Sequence, residues 1–187
     1  MEALLVSTGL VAIAEIGDKT QLLAILLASR FRKPVPILLG ILAATLANHG
    51  LAGLVGQLAG DWLSGPWMRW ILGLAFLAFA AWALVPDRLE DDEAPPVLKA
   101  HSVFLTTAVA FFVVEMGDKT QVATVALGAR FDNLLLVVLG TTLGMMLANA
   151  PAVLLGEVAA RKLPLNLVRL VAAAAFAATG VWVLLAG

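Results

Sequence analysis

Along this chain the hydrophobic positions neither alternate nor keep to one helical face. They form long apolar runs, interrupted at short intervals by charge, proline or glycine. A helix needs about 20 apolar residues to cross a bilayer, and runs of that order fall at 3–28, 34–58, 66–85, 102–129, 133–159 and 165–186. The breaks read "SRFRKPVP" from Ser29, "GDWLSGPW" from Gly60, "PDRLEDDEAPP" from Pro86, "ARFDN" from Ala129 and "RKLP" from Arg161. The pattern predicts an all-α polytopic membrane protein with six transmembrane helices and almost no mass outside the bilayer. Proline and acidic residues after Pro86 disfavour both helix and membrane burial, so 87–100 reads as an acidic linker between a first unit, 1–86, and a second, 101–187.

The two units superimpose at an offset of one hundred. "EIGDKTQ" from Glu15 falls on "EMGDKTQ" from Glu115, six identities in seven positions. Arg30-Phe31, Gly40, Gly56, Arg69, Phe76 and Trp82 fall on Arg130-Phe131, Gly140, Gly156, Arg169, Phe176 and Trp182. "LAN" at Leu46 and Leu147 matches after a one-residue slip. Three crossings per unit is an odd number, so the second unit is expected to enter from the opposite side, giving two inverted three-helix repeats. Basic residues of short loops stay in the cytoplasm. Arg30, Arg32, Lys33, Arg88, Lys99, Arg161, Lys162 and Arg169 fall on one side and only Arg69 and Arg130 on the other. Both termini are therefore expected outside the cytoplasm and the linker inside.

Composition agrees. Hydrophobic residues make up 61% of 187, against about 45–50% in soluble chains, and the mean hydropathy is +0.98. With 13% charged residues and a net charge of −1, no basic patch suggests a nucleic-acid partner. The absence of cysteine excludes disulfides and thiolate chemistry, leaving oxygen and histidine nitrogen as metal ligands. "MEALLVSTGLVAIAE" lacks the basic start and cleavage site of a secretory signal and reads as the first mature membrane helix.

The duplicated motif puts ionisable groups at membrane depth. On a continuous helix Glu15 and Asp18 would be neighbours on one face. A charge there costs roughly 2.5–3.5 kcal/mol even on insertion scales, so these groups must face inward and meet partners. Inverted repeats bring corresponding helices around one axis near the midplane, where Glu15, Asp18, Glu115 and Asp118 would converge. Four carboxylates in a low dielectric need protons or a cation, and hard divalent cations prefer oxygen. Thr20, Thr120, Gln21 and Gln121 add hydroxyl and amide oxygens, and main-chain carbonyls would join if Gly17 or Gly117 loosened its helix. Metal and proton would compete for the same oxygens, which is the basis of antiport. Lys19 and Lys119 either neutralise carboxylates, snorkel, or take part in proton transfer.

Other polar positions read more plainly. Asn48 and Asn149 either hydrogen-bond between helices or supplement the cation ligands. His49 has no counterpart in the second unit and reads as a satisfied packing residue, and His101 as interfacial. Met145 and Met146 read as gap filling. Gly40, Ala44, Ala47, Gly140, Gly144 and Ala148 have the small-residue spacing that lets membrane helices approach. Trp62, Trp67, Trp70 and Trp82 fit an aromatic belt, and Glu90, Asp91, Asp92 and Glu93 fit a solvated linker.

The paired E-x-G-D-K-T motifs, each opening a three-helix unit, resemble those of the cation/proton exchangers that include bacterial manganese exporters and the Golgi manganese/calcium transporters of eukaryotes. The resemblance covers essentially the whole chain. It implies Mn²⁺ or Ca²⁺ transport against H⁺ and points to Glu15, Gly17, Asp18, Lys19 and Thr20 with Glu115, Gly117, Asp118, Lys119 and Thr120. The compact form resembles a bacterial member, which implies manganese efflux across the inner membrane.

The expected function is thus a secondary antiporter, not an enzyme. Its substrates would be a divalent cation and H⁺, its surroundings the lipid bilayer, with no permanently bound cofactor and homo-oligomer formation left open. Two other readings stand beside it. Inward carboxylates also select cations in channels, and an intramembrane acid-dependent enzyme would use Asp18 and Asp118, although neither HExxH nor GxSxG occurs.

Overall fold

A computed structural model describes residues 1–62, 65, 67–85, 102–155 and 165–186. Among these the chain is entirely helical: α1 (Glu2–Glu15), α2 (Lys19–Phe31), α3 (Pro34–Trp62), α4 (Met68–Ala83), α5 (Val103–Val114), α6 (Lys119–Arg130), α7 (Leu134–Leu155) and α8 (Leu165–Ala186). Three stretches are long and apolar enough to cross a membrane, Pro34–Asp61, Leu134–Leu155 and Asn166–Leu185, and Met68–Ala83 and Val103–Glu115 are shorter apolar helices. The linker 87–100, His101, Gly156 and the basic residues Arg88, Lys99, Arg161 and Lys162 lie outside the described residues.

The runs 3–28 and 102–129 are not continuous helices, as hydropathy alone suggests. Each is cut in two at the motif, α1 from α2 and α5 from α6. The cause is local. Gly17 and Gly117 take positive φ, 83° and 79°, a region costly to residues with a Cβ, and the following Asp18 and Asp118 are extended and start the next helix as N-caps. Glu15 and Asp18 are therefore not one helical turn apart on a single face; a turn in which the Asp18 N–H donates to the Glu15 carbonyl separates them.

Elsewhere the punctuation acts as expected. Arg32 closes α2 in the left-handed region, its N–H donating to the Ala28 carbonyl at 2.9 Å, and Pro34 opens α3, where its missing N–H costs nothing. Asn133 Oδ1 accepts from the Leu136 N–H at 3.0 Å at the start of α7.

Corresponding helices make corresponding contacts: α1 packs on α7, and α5 on α3. Gly40 and Gly140 permit this. A Cβ on Gly40 would stand 2.7 Å from Thr107 Cβ and 2.8 Å from the Phe104 carbonyl, and one on Gly140 2.8 Å from Ser7 Cβ and 2.7 Å from the Leu4 carbonyl. These are the same two contacts displaced by one hundred residues. α3 also packs on α6 and α7.

α4 and α8 form a closely packed pair around Phe76, Phe79 and Phe176, whose rings meet edge-on at 6.0 Å. This pair sits unevenly, with α8 against α1 and α4 against α6, while among the described residues the exchanged contacts, α4 with α5 and α8 with α2, are slight.

Burial is distributed as in a protein bathed in lipid. Glu15, Asn48, His49, Glu115 and Asn149 are fully buried, whereas Leu51, Leu58, Leu74, Leu147 and Leu154 are more than half exposed. Polar groups without partners are costly in hydrocarbon, which explains the inversion. Trp67, Trp70 and Trp82 face outward, as a belt requires.

Candidate cation site

The motif folds into the same small unit twice. Glu15 ends α1, and its carbonyl accepts from the Asp18 N–H at 3.1 Å; Glu115 does the same for Asp118 at 3.1 Å. The glycine N–H, stranded by the break, donates back to the glutamine four residues on: Gly17 to Gln21 Oε1 at 2.9 Å and Gly117 to Gln121 Oε1 at 2.6 Å. The threonine hydroxyl reaches the glutamate, Thr20 to Glu15 Oε2 at 2.6 Å and Thr120 to Glu115 Oε2 at 3.2 Å. Asp118 Oδ2 also lies 3.4 Å from both the Thr120 N–H and its hydroxyl. The Glu, Gly, Asp, Thr and Gln of the motif thus each have a structural duty set by their spacing.

The glutamines tie these units to the long helices. Gln21 Nε2 donates to the Ala148 carbonyl of α7 at 3.1 Å, and Gln121 Nε2 donates to Asn48 Oδ1 on α3. In this conformation both glutamine oxygens hold glycine N–H groups. Asn149 Nδ2 donates to the Met145 carbonyl at 3.2 Å and contacts Met145 Sδ at 2.9 Å, so Met145 fills its gap against a polar neighbour.

The two units converge. One carboxylate oxygen from each of Glu15, Glu115 and Asp118 lies within 4.8 Å of the others, and all three residues are buried. Asp18 is buried but stands outside this group, 4.0 Å from Lys119 Nζ. Lys19 Nζ lies 3.6 Å from Asp118 Oδ1, so each lysine pairs across to the aspartate of the other unit. Gly17, Asp18, Lys119 and Arg169 border a cavity of about 20 Å³, room for one water.

Glu15 Oε1, Glu115 Oε1 and Asn149 Oδ1 are buried with no hydrogen-bond partner among the described residues. An ionised oxygen so placed is stable only with a cation or proton close by. The broken helices add to this field. α1 and α5 end at the site with the negative ends of their dipoles, which suit a cation, while α2 and α6 begin there with the positive ends that suit the aspartates.

His49 was read from sequence as a satisfied packing residue, and the structure differs. It is fully buried, its Nε2 lies 4.0 Å from Glu115 Oε2, and neither ring nitrogen has a hydrogen-bond partner among the described residues. Duplication could not reveal it, because the slip that aligns "LAN" puts Ala150 at the equivalent position. Its adjacency to Asn48 was the available signal.

An all-helical membrane protein whose buried acidic cluster is drawn from two copies of one motif defines a class, that of transporters acting on cations. The chain belongs to the GDT1 family of divalent cation/proton antiporters, whose family model matches residues 3–91 and 103–187. It is 50% identical over 177 residues, 94% of this chain and 87% of the other, to a Vibrio cholerae serotype O1 protein whose name proposes manganese export. It is 28% identical over 200 residues to GDT1-like protein 5 of Arabidopsis thaliana, covering 88% of this chain and 87% of that one. It is 27% identical over 186 residues to GDT1-like protein 3 of Oryza sativa subsp. indica, of which it spans 66%. No solved structure matches the chain.

Proposed function

We propose that this chain is a secondary antiporter that exports Mn²⁺ from the bacterial cytoplasm in exchange for inward H⁺, with Ca²⁺ as the second candidate cargo. The observation that carries the reading is the meeting of Glu15, Glu115 and Asp118 oxygens within 4.8 Å, with one oxygen of each glutamate lacking a partner. In this reading the chain crosses the inner membrane six times as two inverted repeats, both termini outside the cytoplasm, each broken run counting as one crossing.

The chemistry follows from competition. Deprotonated Glu15, Glu115 and Asp118 offer a dication hard oxygen ligands, supplemented by helix-end carbonyls and the Asn149 amide oxygen. Thr20 and Thr120 aim the glutamates. Protons arriving from outside take the same oxygens, cancel the charge that held the ion, and release it. Lys19 and Lys119 balance the aspartates when no ion is bound, so the emptied site keeps little net charge while the carrier turns over. Gln21 and Gln121 act as clamps that hold the broken helices open at the glycines, with their amide oxygens as reserve ligands if a glycine N–H releases them. Asn48 supports Gln121 in the same way.

The test is flux in reconstituted vesicles. A proton gradient should drive Mn²⁺ uphill, and collapse of the gradient should stop it. Downhill metal flux that ignores the gradient would make the protein a channel and defeat the antiport reading. Parallel runs with Ca²⁺ and Mg²⁺ rank the cargo.

A further inference from the structure

Beside the duplicated motif stands a residue with no counterpart in the other unit. His49 lies on α3, fully buried, and approaches the acidic cluster at Glu115. The 4.0 Å between His49 Nε2 and Glu115 Oε2 is too long for a hydrogen bond. It matches the spacing of two ligands on one ion, since metal–ligand bonds of about 2.0–2.6 Å at open angles separate their donor atoms by roughly 3–4.5 Å. Both ring nitrogens lack hydrogen-bond partners among the described residues, an unusual state for a buried imidazole unless something else takes its lone pair. Thr45, one turn earlier on the same face of α3, is also fully buried with its hydroxyl unpartnered.

We propose that His49 is a nitrogen ligand of the transported cation and the residue that makes the site prefer a transition-metal dication over Ca²⁺. This rests on the antiport reading above and deepens it. Carboxylates, carbonyls and hydroxyls bind Ca²⁺ and Mn²⁺ alike, whereas imidazole nitrogen favours transition metals and is a poor ligand for the harder Ca²⁺. His49 Nε2 stands outside the group formed by Glu15, Glu115 and Asp118. The ion it binds therefore sits toward the α3 side of Glu115, between that carboxylate and the ring. An ion in the three-carboxylate position sees oxygen only, and one drawn to Glu115 and His49 sees nitrogen too. Discrimination comes from the second position. The equivalent residue of the other unit, Ala150, offers no ligand, so the nitrogen is present on one side of the site alone.

Two measurements test this on the full chain with any polyhistidine tag removed. In vesicles, His49→Gln and His49→Asn should raise the half-saturating Mn²⁺ concentration by about tenfold or more while leaving that for Ca²⁺ nearly unchanged. An equal change for both metals, or none for either, would overturn the proposal and return His49 to packing. Pulsed electron paramagnetic resonance on Mn²⁺ bound to the unaltered protein does not depend on a variant folding. A ¹⁴N modulation from imidazole is expected, retained in His101→Gln and lost in His49→Gln. Absence of that modulation in the unaltered protein overturns the proposal even when transport is normal. If the unaltered protein binds Mn²⁺ with the nitrogen signal but fails to exchange it for protons, the antiport reading falls and the ligand assignment stands.

Discussion

Lys19 of the first unit lies 3.6 Å from Asp118 of the second, and Lys119 returns the contact to Asp18 at 4.0 Å. The two motifs are thus bound to each other by reciprocal charge pairs as well as by their shared carboxylate cluster. Removing one member of a buried pair leaves a charge stranded, at a cost of about 3–5 kcal/mol when burial is complete; the Lys19 side chain is 15% exposed, so the cost here falls below that range. Lys19→Met should lower the thermal unfolding temperature in detergent and reduce transport strongly. Lys19→Met combined with Asp118→Asn should recover much of the stability without recovering transport. Additive losses in the double variant would show that the pair is not coupled.

Glu15→Gln and Glu115→Gln should each abolish proton-coupled metal flux. Both should leave the detergent-solubilised protein as stable as before or more so by about 1 kcal/mol, because an amide replaces a buried carboxylate oxygen that has no partner. Flux and thermal unfolding on the same preparations check this, and retained flux in either variant would break the shared-site model.

Binding should stabilise the fold. Mn²⁺ at about 100 times its dissociation constant adds about 2.7 kcal/mol by mass action. Unfolding curves with and without Mn²⁺ should separate for the unaltered protein and coincide for Glu115→Gln.

The positive φ of Gly17 and Gly117 makes a separate forecast. A Cβ on Gly117 would meet nothing within 4 Å, so the strain of Gly117→Ala is torsional alone, about 1–2 kcal/mol. Gly117→Asn should be milder, since asparagine tolerates the left-handed region better. Equal losses for the two would point to a steric cause and overturn the torsional account.

Packing is tested at the helix crossings. Gly40→Val and Gly140→Val drive side chains into α5 and α1 respectively, where even a Cβ comes within 2.7 Å of existing atoms. Each should lower stability by about 1–3 kcal/mol and affect the two units alike, measured by unfolding in detergent.

Much of this was legible in the sequence. The duplication came from six identical residues of seven in the motif, and the small-residue spacing at Gly40 and Gly140 marked the crossings that the structure contains. The break inside the first and fourth runs was harder to see. Apolar residues continue on both sides of Gly17 and Gly117, so a hydropathy average passes over the break, and no proline marks the interruption. The signal was a glycine followed by aspartate and a fresh helical start, a C-terminus and an N-cap back to back. The duties of Gln21 and Gln121 depend on that break, because only a severed helix leaves a glycine N–H for them to hold. His49 reads from the sequence as a satisfied packing residue, and repetition, the strongest evidence there, could not show that its ring nitrogens lack hydrogen-bond partners among the described residues.

The lopsided seat of α4 and α8 has one more implication. The hundred-residue offset sets Arg69, Phe76 and Trp82 of α4 on Arg169, Phe176 and Trp182 of α8, while most of the other side chains of the two helices differ. In the proposed antiport cycle the exchanged seat, against α5 and α2, would be the pair's second resting place, and the differences between the copies would set which one the empty carrier keeps.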